Sequence, residues 1–215
     1  MKAIILAGGL GLRLRPLTEK VPKVLVQYKG KPLAQHQVEY LASYDVRDIV
    51  FACGYRWEKI KEFFGDGSRF DVNIHYSVEE DKLGTGGAIK KAMENFPSEE
   101  YLILNGDIVT NLDLNDFISF HRKRGFEVTM LLVPLQSPYG IVEVSDDGVV
   151  TGFREKPKLP HWINGGIYLV NNSVIGKLPD KGDIEKETFP KIRINGYRFN
   201  GYWKAIDTMK DLSED

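Results

Sequence analysis

Glycines stand at positions 8, 9 and 11 of the segment Leu6-Ala7-Gly8-Gly9-Leu10-Gly11-Leu12-Arg13-Leu14-Arg15-Pro16-Leu17-Thr18, with Arg13 and Arg15 close behind them and Lys23 a little further on. Such a run asks for a phosphate. Glycine removes the Cβ that would hold an anion away from backbone N–H groups, and an arginine adds a charge-assisted fork. The pattern suits the tail of a nucleoside triphosphate. A Walker A loop is excluded because no Gly-Lys-Ser or Gly-Lys-Thr follows, and the dinucleotide fingerprint fails at Leu14, where it needs a third glycine. A plain turn after a buried strand would explain the glycines but not the basic residues that follow.

Clustered phosphates call for a hard cation, and Mg²⁺ bridges them best when protein carboxylates lie nearby. Asp107 is such a carboxylate. It closes Asn105-Gly106-Asp107 after the apolar run 101–104, at the strand edge where open α/β sheets bind ligands, and no Lys or Arg neighbours it in sequence. A cap on the following turn is its structural alternative. No other catalytic apparatus is legible: His36, His75, His121 and His161 are scattered without ligand spacing, and neither a Gly-x-Ser-x-Gly elbow nor a His-Glu-x-x-His helix occurs. Lys90-Lys91 and Arg122-Lys123-Arg124 read as exposed helix faces.

These residues need a scaffold, and the apolar pattern supplies one. Lys2–Ala7 reads as a buried strand, 31–43 as a helix with Pro32 in its first turn, Asp48–Ala52 as a strand, and Arg56–Phe64 as a helix. Val72–Val78 alternates as a strand does, Gly86–Phe96 reads as a helix, Tyr101–Leu104 as a strand, Leu114–Arg124 as a helix and Glu127–Val133 as a strand. The βα rhythm then changes. Gly140–Val144 and Val149–Arg154 flank Asp146-Asp147-Gly148 as a hairpin, Ile163–Val170 forms a strand, Asp183–Ile192 a helix cut by Pro190, and Tyr197–Ile206 a last strand before a short terminal helix. The expected fold class is α/β, with one domain over 1–215.

The chain has 215 residues, 42% hydrophobic and 27% charged, enough to bury a sizeable core and unlike a disordered segment. Its 29 Lys and Arg against 30 Asp and Glu leave a net charge of −1, so no global field favours nucleic acid or an anionic membrane. Ala3–Ala7 is too short for a signal peptide, no run approaches the ~20 apolar residues of a membrane span, and the lone Cys53, read as a buried thiol, cannot form an internal disulfide. A cytoplasmic protein is expected.

At this point the chain resembles the sugar-1-phosphate nucleotidylyltransferase family, whose opening is Gly-Gly-x-Gly-Thr-Arg-Leu-x-Pro-Leu-Thr followed by Pro-Lys-Pro and Gly-Lys-Pro. The matching residues are Gly8 to Thr18, Pro22-Lys23 and Gly30-Lys31-Pro32, and the likeness continues through Leu83-Gly84-Thr85-Gly86-Gly87-Ala88, Asn105-Gly106-Asp107, Phe153-Arg154-Glu155-Lys156-Pro157, Asn164-Gly165-Gly166-Ile167-Tyr168 and Gly201-Tyr202-Trp203. The chain departs from the pattern at Leu12 (Thr in the family), Val24 (Pro) and Ala205, where many members carry a metal-binding Asp. Trp203 to Thr208 is instead similar to the ending of glucose-1-phosphate cytidylyltransferases, which places the carboxylate at Asp207; on sequence grounds a helix cap is an equal reading of that residue.

The resemblance implies a Rossmann-like three-layer α/β/α sandwich with a mixed, mostly parallel central sheet and a small β-hairpin elaboration on the sugar side, without a C-terminal β-helix domain. It implies that an NTP and a sugar 1-phosphate give an NDP-sugar and pyrophosphate, with Mg²⁺ held by Asp107 and Asp207. Arg13, Lys23 and Asp107 become the catalytic set. Nucleotide contacts fall to Leu6, Ala7, Gly8, Gly9, Gly11, Leu12, Arg13 and Lys23, to Glu79, Gly84 and Thr85 around the base, and to Asn105 and Gly106. Sugar-phosphate contacts fall to Gly140, Glu155, Lys156, Asn164 and Gly165. The central blocks look like mannose- or heptose-type guanylyltransferases while the Asp207 ending looks like cytidylyltransferases, so GTP is favoured only slightly over CTP. A catalytically silent sugar-nucleotide sensor and an enzyme acting on a non-sugar acceptor are the rival readings. Oligomeric state stays open, a homodimer included.

Overall fold

The computed structural model describes residues 1–213. In chain order the elements are β1 (Lys2–Ala7), β2 (Gln27–Tyr28), β3 (Lys31–Pro32), α1 (Leu33–Ser43), β4 (Asp48–Cys53), α2 (Trp57–Phe64), β5 (Asn73–Val78), α3 (Gly84–Asn95), β6 (Glu100–Asn105) and β7 (Ile108–Thr110). There follow α4 (Leu114–Arg124), β8 (Val128–Gln136), β9 (Ile141–Val144), β10 (Val150–Arg154), β11 (Lys158–Asn171), α5 (Ile184–Glu187), β12 (Ile194–Arg198), β13 (Trp203–Ala205) and α6 (Met209–Ser213).

The central sheet has seven strands in the order β12-β8-β11-β6-β1-β4-β5. β1 pairs in parallel with β4 and β6, β4 with β5, and β12 with β8, whereas β11 runs antiparallel to both β6 and β8. The sheet is therefore mixed and mostly parallel, as the resemblance implied. Strand periodicity builds the three layers. Ala3 and Ile5 of β1, Phe51 of β4 and Leu102 and Leu104 of β6 face a core shared with Val38 of α1, Ile60 of α2 and Phe117 of α4. The alternate residues Ile4, Val50, Tyr101 and Ile103 face a second core containing Ile89 and Met93 of α3 and Ile184 of α5. Ile4 and Ile5 are both fully buried, each worth about 1.5–3 kcal/mol relative to exposure. Leu14, Val26, Tyr28, Leu33 and Ile206 form a third, smaller core beneath the glycine-rich loop.

Several boundaries differ from the sequence expectation for identifiable reasons. The helix expected over 31–43 starts at Leu33, because Lys31–Pro32 pairs back on Gln27–Tyr28 as a hairpin. The α3 helix begins at Gly84, two residues before Gly86, since the N–H groups of Gly86 and Gly87 donate to Gly182 O and hold that turn. The expected strand 197–206 is two strands: β12 joins the edge of the main sheet, and β13 leaves it to pair antiparallel with β7, a short strand with no signal in the apolar pattern. Asp183–Ile192 shrinks to one α turn and one 3₁₀ turn around Pro190. By contrast α4 matches its expected limits, because both ends are locally signalled: Asp113 Oδ1 accepts from Asn115 N and Asp116 N, and the helix stops at Gly125.

The hairpin β9–β10 forms about its Asp146-Asp147-Gly148 turn and carries Val142, Val144, Val150 and Phe153 on the surface. Cys53 is buried, and that burial, with the Glu79 and Glu58 charges adding to it, pushes its thiol up to about 12. Among the described residues no helix is long and apolar enough to cross a membrane.

Candidate active site

Beyond the carboxyl ends of β1 and β6 opens a cavity of about 530 Å³. It is lined by Leu6, Ala7, Gly9, Gly11, Leu12 and Arg13 of the glycine-rich segment, by Lys23, Asn105, Gly106, Asp107 and Asp207, and, near the start of α3, by Lys82 and Thr85. This is the edge at which an open α/β sheet presents strand ends and loop N–H groups to a ligand.

Local chemistry shapes the loop. Gly11 takes φ +60°, a left-handed conformation costly for a side-chain-bearing residue, and its carbonyl accepts both Leu14 N at 2.9 Å and Thr18 Oγ1 at 2.8 Å. Leu14 is thereby turned down into the third core, and Arg13 is turned outward, its side chain 70% exposed at the cavity rim. Where β1 and β6 end side by side, Gly106 donates its N–H to Leu6 O at 3.0 Å, and a Cβ there would collide with that carbonyl and lie 2.6 Å from Val24 Cγ1. Gly106→Ala is therefore expected to push β6 from β1 at the site, lowering both thermal stability and nucleotide affinity; a melting curve and an NTP titration check it, and a wild-type Tm would contradict the packing argument.

Two distant segments meet beside Asp107. The ladder of β7 with β13 sets Ile108 opposite Ala205, and Ile206 N donates to Asp107 O at 2.9 Å. Ile206 is buried in the third core, so the next residue, Asp207, faces the other way. Its carboxylate and that of Asp107 converge on one ammonium: Lys23 Nζ lies 2.6 Å from Asp107 Oδ2 and 2.5 Å from Asp207 Oδ1. Arg13 reaches Asp207 Oδ2 at 3.3 Å. The side chains of Lys23, Asp107 and Asp207 are 15%, 23% and 32% exposed, so these charges are partly desolvated and hold one another.

The helix-cap reading of Asp207 is not what the side chains do. Asp211 Oδ2 accepts from Asp207 N, Thr208 N and Thr208 Oγ1 at 3.0, 2.7 and 2.8 Å. Burial raises the Asp211 carboxyl, but these hydrogen bonds outweigh it and leave the group below its ordinary value. The capping carboxylate is Asp211, and that of Asp207 turns to Lys23 and Arg13.

Asp107 and Asp207 are hard oxygen donors aimed at a single point, which suits Mg²⁺, a cation that takes one or two carboxylates and completes its shell with phosphates and water. Among the described residues no group of three or more His, Cys, Asp or Glu is gathered as a metal cage.

Glu79, Gly8 and Gly84 stand just outside the cavity lining. Glu79 packs beneath Gly8 and Gly54, and its Oε2 accepts Leu83 N at 3.0 Å, so one carboxylate oxygen is committed to the loop before α3. Gly84 faces Gly182 and Asp183. Thr85 lines the cavity while its hydroxyl donates to Glu185 Oε2 at 2.7 Å and accepts from Ile184 N at 3.0 Å.

On the sugar side the residues fall into two groups, neither lining this cavity. Gly140, Glu155 and Lys156 cluster at the base of the hairpin, with Lys156 Nζ 4.0 Å from Glu155 Oε1. Asn164 is engaged internally, its Nδ2 donating to Tyr168 Oη at 2.7 Å and its Oδ1 accepting Gly166 N at 2.9 Å, and Gly165 O accepts Trp203 Nε1 at 2.8 Å.

Sequence reasoning passed over Lys82, which had no motif to mark it beyond its place two residues ahead of Gly84. It also passed over Glu185, which braces Thr85 and also contacts Tyr168, whose hydroxyl burial pushes well above the ordinary tyrosine range.

The chain is similar to the mannose-1-phosphate guanyltransferase of Schizosaccharomyces pombe, 37% identical over 98% of this chain and 62% of that protein, and to that of Yarrowia lipolytica, 39% identical over 99% and 62%. The chain thus spans about three fifths, 62%, of the length of these curated relatives. Its fold is similar to the crystal structure of HddC from Yersinia pseudotuberculosis complexed with GMP-PN, with a TM-score of 0.79 and 27% identity over 98% of this chain and 96% of that one. The family model for nucleotidyl transferases matches residues 2–214, so the glycine-rich loop, the Asp107 turn and the Asp207 ending all lie in one continuous match, and the chain belongs to the nucleotidyl transferase family.

Proposed function

We propose that this protein is a sugar-1-phosphate guanylyltransferase, transferring GMP from GTP to a sugar 1-phosphate, with mannose 1-phosphate the leading acceptor. The observation that carries the reading is the convergence of Asp107, Asp207, Lys23 and Arg13 in one cavity whose wall is the glycine-rich loop. The guanine and mannose assignments draw their support from the relatives named mannose-1-phosphate guanyltransferases and from the GMP-PN complex of HddC.

An oxygen of the sugar phosphate attacks the α-phosphorus while the bond from that phosphorus to the α–β bridging oxygen breaks, and pyrophosphate leaves with the bonding pair. A phosphate monoester has a second pKa of ~6, so the attacking group is largely ionised at neutral pH and no general base is required. The protein's work is placement and charge neutralisation. The glycine-rich loop brings its backbone close to the phosphates, and Arg13 and Lys23 absorb the charge that grows on the leaving pyrophosphate. Mg²⁺ held by Asp107 and Asp207 would add Lewis-acid neutralisation at the same phosphates. Glu155 and Lys156 stand ready on the hairpin for the sugar and its phosphate.

Pyrophosphate release measured with ATP, GTP, CTP, UTP and dTTP against several sugar 1-phosphates tests the proposal. Release is expected only when both substrates and Mg²⁺ are present, and best with GTP. A preference for CTP would transfer the assignment to the cytidylyltransferases that the Asp207 ending resembles. Silence with every pair, while an NDP-sugar still binds, would make the protein a sensor.

A further inference from the structure

Between the carboxylates of Asp107 and Asp207 sits the Lys23 ammonium, within hydrogen-bond distance of both and with only 15% of its side chain exposed. Both carboxylates aim at the point that a divalent cation would need. One point cannot serve two cations, because like charges at such separations repel and neither could keep both oxygen partners.

We infer that Lys23 is the resident counterion of this carboxylate pair in the nucleotide-free protein, that it and a divalent cation exclude one another there, and that nucleotide phosphates draw it away. The inference rests on the proposed reaction for the identity of the displacing anion; its claim about metal exclusion concerns the free protein alone.

The backbone of Lys23 has little freedom, since residues 23–25 form a 3₁₀ turn pinned by buried Val24, but its four-carbon stem can swing. A poorly exposed ammonium leaves one pair of anions only for another. Lys23 also lines the cavity that the phosphates would occupy, so the second anion is within the same space. Arg13 is far more exposed and touches Asp207 alone at 3.3 Å, so it cannot replace Lys23 between the carboxylates. Metal and nucleotide therefore enter together, and the free protein binds divalent ions weakly.

Mn²⁺ binding to the nucleotide-free protein, followed by the electron paramagnetic resonance of free Mn²⁺, tests this directly. Lys23→Met should bind Mn²⁺ on the order of tenfold more tightly than wild type, because one competing charge is gone. Lys23→Arg keeps the charge and should stay as weak as wild type. Adding Asp207→Asn to Lys23→Met should abolish the gain. Lys23→Gln gives the same readout should Lys23→Met fail to fold, which a circular dichroism melt reports. Equal Mn²⁺ affinity in the wild type and the neutral variants, or an equal gain in Lys23→Arg, would overturn the inference. The readout is independent of turnover: an active enzyme with unchanged Mn²⁺ affinity sinks this inference alone, and an inactive protein with the expected affinities sinks only the proposed reaction.

Discussion

Asp107→Asn and Asp207→Asn should each lower the rate of pyrophosphate release by about a hundredfold at ordinary Mg²⁺ concentration, equivalent to ~2.7 kcal/mol of lost transition-state stabilisation. The two losses should be comparable, because the carboxylates, 100 residues apart in the chain, converge on the same Lys23 ammonium at nearly equal distances, 2.6 and 2.5 Å, and would offer a cation in that place equivalent oxygens. Each change removes one anionic donor from a hard-cation site and leaves a weaker amide oxygen, so part of the loss should be recovered at high Mg²⁺. Folding should survive, since Lys23 keeps one carboxylate partner in either variant. Activity against Mg²⁺ concentration decides the matter. Near wild-type activation in Asp207→Asn beside collapse in Asp107→Asn would remove Asp207 from the metal site and leave it as a partner of Arg13 and Lys23.

Lys23→Ala should be the most damaging change to a cation, with kcat falling by at least about a hundredfold, or ~2.7 kcal/mol, and KM for the nucleotide changing far less. That split follows from its role. In the free protein the ammonium is already satisfied by two carboxylates, so ground-state nucleotide binding gains little from it, whereas the charge developing on the leaving pyrophosphate gives it a stronger partner. Arg13→Ala should cost less, nearer tenfold or ~1.4 kcal/mol, because its guanidinium is 70% exposed and water screens it. Steady-state kinetics with saturating sugar 1-phosphate measure both. An unchanged kcat with a raised KM would make these residues binding groups only. Lys23→Ala should also lower the Tm more than either carboxylate variant, since it leaves two partly buried carboxylates facing each other without a counterion.

Much of this site is written in short stretches of the chain. The glycines at 8, 9 and 11, with Arg13, Lys23 and Asp107, declare themselves because their chemistry is local: a turn that needs left-handed backbone at Gly11, cations beside it, and an acid just past a buried strand. The core strands were equally legible, as period-two alternation assigns Ile4 and Ile5 to opposite layers whatever their neighbours are. Apolar pattern does not, however, say which strand a segment will pair with. Residues 197–206 therefore read as one strand, whereas two different partners, β8 and β7, divide the segment. That division brings the carboxylate of Asp207, which the sequence reads equally as a metal ligand or a helix cap, to the Lys23 ammonium beside that of Asp107. Glu79 likewise stands beside the base in the family resemblance, and what local sequence does not show is that one of its two oxygens accepts Leu83 N, a contact arising where the end of β5 packs against the glycine-rich loop. Residue types and local spacing determined what chemistry this chain could attempt. Which charges share a point in space depended on long-range ladders and buried anchors such as Ile206, whose free energy comes from partners that no local window contains.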